Sequence, residues 1–418
     1  MRNTHDRRRD NQQWMLDWMV KTTGRVINFE YDEREVPSHV RNYAQIPRAM
    51  AKMGEAKERI ADAAAAAGHH RTALQTYHAA IRNYHTAQHA IFEDDSPPKI
   101  EYHRRLLRCF DQIMALSEYP IERVEVPFEG KEIQGNLHLI AGKPKAPCVI
   151  FLPGMDMVKE WVPDPMNNVF TSRGMHCLAI DGPGQGMSNI RKIRVTEDSY
   201  ERAVSAVIDY LETREEIDSD KIAIVGASMG SYWGVRSAAR DKRIKAVAVA
   251  MSNMGTKTAI FEQASPRFKQ IFMYMAGLSD EAEFDALAAK MGTQGYGSKI
   301  NCPFLLVTGE YDPLSPIEDA EAFYDELAGP KEIWVLADFY HVIWNPPHFG
   351  DVAAYNSMTD WIVDALAGKF GASHEQYRFF GPNDLGPYTP AAGTRASTDP
   401  LMGGSSGTVP EATDAAPV

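Results

Sequence analysis

The chain has 418 residues, 44% of them hydrophobic, enough to bury a real core in one large domain or two of ordinary size. Its formal net charge is −12, from 44 basic against 56 acidic side chains, which argues against nucleic acid as a partner. No run of about 18 continuous apolar residues is present, so no membrane span is expected.

The N-terminus, MRNTHDRRRDNQQW, carries charge but no apolar segment behind it, so it does not read as a signal peptide. RRR at 7–9 reads as a solvated end. Residues 10–118 read as helical throughout. In AKMGEAKERIADAAAAAG (51–68) and RTALQTYHAAIRNYHTAQHAIF (71–92) the apolar positions recur at steps of three and four. The expectation is an all-helical, cap-like N-terminal domain over 1–118. His78, His85 and His89 could share a helix face. A metal site needs a fourth group and a closed geometry, so they read as packing or surface histidines.

From about residue 121 the texture changes. IERVEVPFEG and EIQGNLHLI read as a strand pair. CVIFLPG, HCLAIDGPG, KIAIVGAS, IKAVAVAMS, FLLVTGEYD and EIWVLADF follow as short apolar strands, with helical segments such as 199–217 between several of them. This alternation predicts an α/β fold, a mostly parallel sheet covered by helices on both faces, over 119–375. The interval 253–300 is too long for a plain crossover and reads as a lid insertion forming one wall of a pocket. Residues 376–418 are rich in Gly, Pro, Ser, Thr and Ala from about Gly381 and are expected to form a flexible tail. Cys109, Cys148, Cys177 and Cys302 are scattered without paired spacing, which predicts free thiols and a reduced, cytoplasmic protein.

The chemistry is concentrated at GASMG. Ser228 lies between Gly226 and Gly230, where an apolar strand gives way to a helix. Such a turn lifts the serine off the sheet edge, and the helix beyond it aims free N–H groups at the same spot. A serine needs a base, and the base a carboxylate to orient it. Asp312 follows the strand FLLVTG and His341 follows EIWVLADF, giving the order Ser228, Asp312, His341. Glu310 and His348 are the rivals for acid and base. Asp181, in DGPGQG, precedes the serine and reads as structural. The oxyanion hole is assigned to the backbone N–H groups of Met229, after the nucleophile, and Met155, in the loop after CVIFLP.

With LPGMDMVKEW, DGPGQGMS, GASMGSYWG, TGEYDPLSP and the late His341, the chain resembles one branch of the α/β-hydrolases. That branch includes 2,6-dihydroxypseudooxynicotine hydrolase, the Ayg1-type polyketide-shortening hydrolases and the FrsA-like esterases, and the resemblance covers roughly residues 10–370. It implies that the N-terminal helices cover the mouth of the active site and that the protein is a homodimer. It also implies that some members cleave a carbon–carbon bond beside a ketone and others cleave esters. In one subgroup an extra carboxylate after the nucleophile assists; the nearest counterpart here is Glu262.

The expected function is therefore serine-dependent hydrolysis of a carbonyl substrate, foremost a carbon–carbon bond beside a ketone of an aromatic or polyketide-like small molecule. Carboxylesterase, acyltransferase or cyclase, and a non-catalytic partner-binding protein are the alternatives. Trp161, Trp233 and the lid aromatics Phe261, Phe268, Phe272, Tyr274 and Tyr296 are candidate pocket lining, or else core filling. The chemistry requires no cofactor and no metal.

Overall fold

The computed structural model describes residues 40–343, 345–350, 354–381 and 386–388. The expected helix over 10–39, the RRR segment and most of the expected tail lie outside the described residues. Among the described residues the first three α-helices are α1 (Ile46–Ala66), α2 (His70–His89) and α3 (Pro97–Leu116). Prolines open α1 and α3, at positions where the missing N–H would have no helical partner anyway. Ala61, Ala73, Tyr77, Ile81, Tyr84 and Phe110 pack between the helices. Ile121 and Val158 join the same cluster, so the helices are seated on the strand-containing region rather than standing apart.

The next elements are β1 (Ile121–Phe128), β2 (Lys131–His138), β3 (Ala146–Leu152), β4 (His176–Ile180), α4 (Gly186–Ile190), α5 (Ser199–Glu212), β5 (Ile217–Ala227) and α6 (Met229–Arg240). Then come β6 (Ile244–Ala250), α7 (Pro266–Ala276), α8 (Glu281–Ala288), β7 (Phe304–Gly309), α9 (Ile317–Glu326), β8 (Lys331–Leu336), α10 (Ala354–Leu366) and β9 (Glu375–Phe380). Among the described residues they form one nine-stranded sheet ordered β1-β2-β4-β3-β5-β6-β7-β8-β9. β1 pairs antiparallel with β2 across Glu129-Gly130, both at positive φ as a tight hairpin turn demands. β2 and β4 are also antiparallel, and the pairs from β4 to β9 are all parallel.

Side-chain alternation divides the core into two layers. Cys148, Ile150 and Leu152 of β3 and Ile222 and Ile224 of β5 face α5, α6 and the lid. Val149, Phe151, Ala223 and Val225 face α10 on the other side. Parallel strands put all their C-terminal ends on one edge. The loops after β3, β5, β7 and β8 therefore converge there, which is where an open α/β sheet carries its site.

Two expectations change at the boundaries. The helix begun at Ser199 ends at Glu212, because β5 already starts at Ile217. Glu375–Phe380, mostly inside the stretch expected as tail, is a ninth strand parallel to β8. Its polar EQYRFF run suits an edge position, where only one side is covered. Cys109, Cys148 and Cys177 are buried free thiols and Cys302 is a partly buried one. No helix of the described residues is long and apolar enough to cross a membrane.

Candidate active site

β5 passes into α6 through a single residue, Ser228, held at φ 52° and ψ −117°. A non-glycine residue there stores roughly 1–3 kcal/mol of strain. Its neighbours explain the motif. A Cβ on Gly226 would lie 2.5 Å from the Gly230 carbonyl oxygen, and one on Gly230 would lie 2.0 Å from the Leu152 oxygen. The strained residue is pinned on both sides. Ser228 N donates to Ala250 O at 2.9 Å, and Ser231 N and Oγ donate to Ser228 O at 2.8 and 2.5 Å. Ser231 Oγ in turn accepts from Asn253 N at 2.7 Å, fastening the turn to the loop after β6.

Ser228 Oγ lies 2.9 Å from His341 Nε2. The other ring nitrogen, Nδ1, is 2.9 and 2.7 Å from the two carboxylate oxygens of Asp312. Asp312 is 3% exposed, and its Oδ1 also accepts the backbone N–H groups of Leu314 and Ser315, at 2.9 and 3.0 Å. The rivals go elsewhere. Glu310 accepts from Asp338 N at 3.1 Å, and His348 Nε2 is 2.8 Å from Ala337 O. Both brace the loop that carries His341.

The loop after β3 lies against the elbow. A Cβ on Gly154 would be 3.5 Å from Ser228 Cβ. Gln185 Nε2 donates to Gly154 O at 2.7 Å and to Pro153 O at 3.2 Å. In a planar trans peptide N–H and C=O point opposite ways, so this grip aims the Met155 N–H away from Gln185. Neither the Met155 nor the Met229 N–H has an acceptor among the described residues. Tyr200 donates to Gln185 Oε1 at 2.6 Å and stacks flat on Trp233 of α6, with ring centroids 3.9 Å apart. The two N–H groups assigned to the oxyanion hole are thus linked through Gln185, Tyr200 and Trp233. Neither Gln185 nor Ser231 was singled out from the sequence.

A buried charge cluster holds the far end of this loop. Lys159 Nζ lies 2.8 Å from Asp181 and 2.6 Å from Glu160, all three without solvent exposure. Burial by itself would raise Asp181, but the Lys159 ammonium and the N–H groups of Lys159 and Met187 outweigh it and hold its pKa low. Burial raises Glu160, which shares that one ammonium with Asp181. From the helical side His85 Nε2 meets Asp156 O at 2.6 Å and His78 Nε2 meets Trp161 O at 3.0 Å. The histidine face of α2 therefore grips the loop through its carbonyls. Among the described residues no group of three or more His, Cys, Asp or Glu is arranged to hold a metal ion.

Two of the expected substrate contacts, Trp233 and Glu262, are placed otherwise than expected. Trp233 is fully buried against Tyr200, inside the core rather than at a pocket wall. Glu262 is 56% exposed and faces Lys269 at 3.6 Å, because its turn buries Ala259, Ile260 and Phe261 and turns the next residues outward. Phe284 packs edge to face with Phe261 and Phe272, which are tilted against each other, as lid core. Trp161 is half-buried between the helices and the loop, its ring 5.9 Å from His85.

A cavity of about 20 Å³ does open behind Met155, lined by Phe92, Lys99, Met155, Gln185, Asn189 and Tyr274. Lys99 is 4% exposed. Its Nζ donates to Gln88 O at 3.1 Å and Ile91 O at 3.0 Å, over the Tyr274 ring. Burial pulls its pKa down to about 7, with Asp94 opposing only at longer range.

A family model described as FrsA-like esterase matches residues 55–341. The 2,6-dihydropseudooxynicotine hydrolase of Paenarthrobacter nicotinovorans is 28% identical over 277 residues, covering 63% of this chain and 70% of that one. The α/β-hydrolase gkaG of Penicillium citrinum is 31% identical over 236 residues, 53% of each chain, so about half of that relative's length is spanned. A solved 2,6-dihydroxy-pseudo-oxynicotine hydrolase matches with a TM-score of 0.69 at 23% identity, over 82% of this chain and 94% of that one. AbyA5 matches at a TM-score of 0.61 and 18% identity, over 86% of this chain and 100% of that one. Both structures speak for the α/β-hydrolase fold.

Proposed function

Because this chain belongs to the FrsA-like esterase family, we propose that it is a serine hydrolase acting through Ser228, His341 and Asp312. The observation that carries the reading is the unbroken line from Ser228 Oγ through His341 to a buried Asp312. His341 Nε2 takes the Ser228 proton as Oγ attacks a substrate carbonyl, and Asp312 steadies the imidazolium. The N–H groups of Met229 and Met155 receive the oxyanion. His341 then protonates the departing group, and water repeats the sequence on the acyl-enzyme.

The substrate is proposed to be an aromatic or polyketide-like ketone cleaved at the carbon–carbon bond beside its carbonyl. The relation to a hydrolase named for pseudooxynicotine supports this, the match spanning 70% of that enzyme. The family model's description favours a second reading, a carboxylesterase with the same residues. Turnover of aryl 1,3-diketones and acylphenols against matched aryl esters, with products identified by mass, separates the two. Ketone cleavage with slow ester turnover is expected; fast esters with inert ketones would make the enzyme an esterase.

The grip of Gln185 on the Gly154 carbonyl carries its own prediction. Gln185→Leu should lower kcat by about 10–100-fold, part of the loss expected for one missing oxyanion donor, while KM changes little. A KM effect with kcat intact would place Gln185 in substrate binding instead.

A further inference from the structure

The cavity behind Met155 has no role in the steps above, yet it is a built site. Three lysines are buried among the described residues, and two are fully provided for, one by charge and one by three acceptors. Lys159 faces two carboxylates, and Lys257 Nζ faces the carbonyls of Asn253, Met254 and Gly255. Among the described residues Lys99 has only two carbonyl acceptors for three N–H donors, and no carboxylate is hydrogen-bonded to it. On the same cavity, Asn189 is 6% exposed and its Oδ1 has no hydrogen-bond partner among the described residues. A spare donor and a spare acceptor thus belong to side chains that line one small cavity, one wall of which is the Met155 loop.

We propose that this cavity seats an acidic hydroxyl of the substrate, a phenol or the enol of a 1,3-dicarbonyl, between Lys99 Nζ and the Asn189 amide; the assignment rests on the carbonyl-hydrolase reading above. A hydroxyl satisfies both groups at once. It accepts from the ammonium, a charge-assisted bond that strengthens as the hydroxyl gains anionic character, and it donates to Oδ1. A ketone oxygen leaves Asn189 unpaired, at the penalty of a buried unmet acceptor. A carboxylate or a methyl ether can accept from Lys99 but has no proton to give Oδ1, so it too leaves Asn189 unpaired. Phe92, Tyr274 and Met155 supply the apolar surface against which the ring or chain bearing that oxygen lies.

Calorimetric titration with ortho-hydroxyacetophenone and its methyl ether, ortho-methoxyacetophenone, tests the assignment. The wild-type protein should bind the hydroxy compound about tenfold or more tightly. Lys99→Met and Asn189→Leu should each bring the ratio of affinities close to one and leave the ether's affinity unchanged. If Lys99→Met fails to fold, Asn189→Leu decides. Equal binding of the two compounds by the wild-type protein, or a preference that survives both substitutions, overturns the proposal. The titration needs no turnover, so a wrong assignment of Ser228 would show separately, as activity that persists in Ser228→Ala.

Discussion

Replacing Ser228 by alanine should lower kcat by roughly 10⁵–10⁶-fold, on whichever carbonyl substrate the enzyme turns over, and leave the fold intact. The size follows from the site. Ser228 Oγ lies 2.9 Å from His341 Nε2, and the proposed mechanism has no second nucleophile. The fold survives because alanine keeps the Cβ. The strained φ of 52° is held by backbone bonds, Ser228 N to Ala250 O and Ser231 N to Ser228 O, which the substitution does not touch. Stability should change by about 1 kcal/mol or less, the scale of one lost hydrogen bond. A thermal melt beside the rate measurement checks both halves. A loss below tenfold would remove Ser228 from the chemistry.

Asp312→Asn should cost about 10⁴-fold in kcat with little change in stability. The reason is a forced tautomer. Oδ1 of Asp312 accepts the N–H groups of Leu314 and Ser315, so an asparagine must present its oxygen to them. Its NH₂ then faces His341 Nδ1, which becomes an acceptor and leaves the proton on Nε2, the nitrogen that must take one from Ser228. Alanine at the same place would free the ring to choose its tautomer but leave two backbone donors buried and unmet. Steady-state kinetics of the asparagine variant beside its melting curve would show the effect. Activity within tenfold of wild type would mean that Asp312 does not control the tautomer.

What could be read in the chain was what local pattern encodes. Parallel strands buried on both faces leave continuous apolar runs, so β3 to β8 were legible, and Gly226 and Gly230 marked a turn whose close approaches tolerate no Cβ. Asp312 and His341 stood out because each follows such a strand. The supports of the site are contacts between elements far apart in sequence and leave no local trace. His85 and His78 reach carbonyls in the loop after β3, Gln185 reaches Gly154, and Lys99 caps carbonyls at the end of α2. Trp233 was misplaced by helix phase. Five residues beyond Ser228 in α6, it points about 140° away from the serine, toward Tyr200. β9 was missed because a half-covered edge strand can be polar enough to read as tail.

Intact-protein mass measurement after treatment with a fluorophosphonate, followed by mapping of the modified peptide, tests whether Ser228 is the nucleophile. One covalent adduct per chain is expected, on the peptide carrying Ser228, abolished in Ser228→Ala and much slowed in Asp312→Asn. An adduct on any other residue, or a wild-type protein that stays unmodified, would mean that Ser228 is not the activated nucleophile.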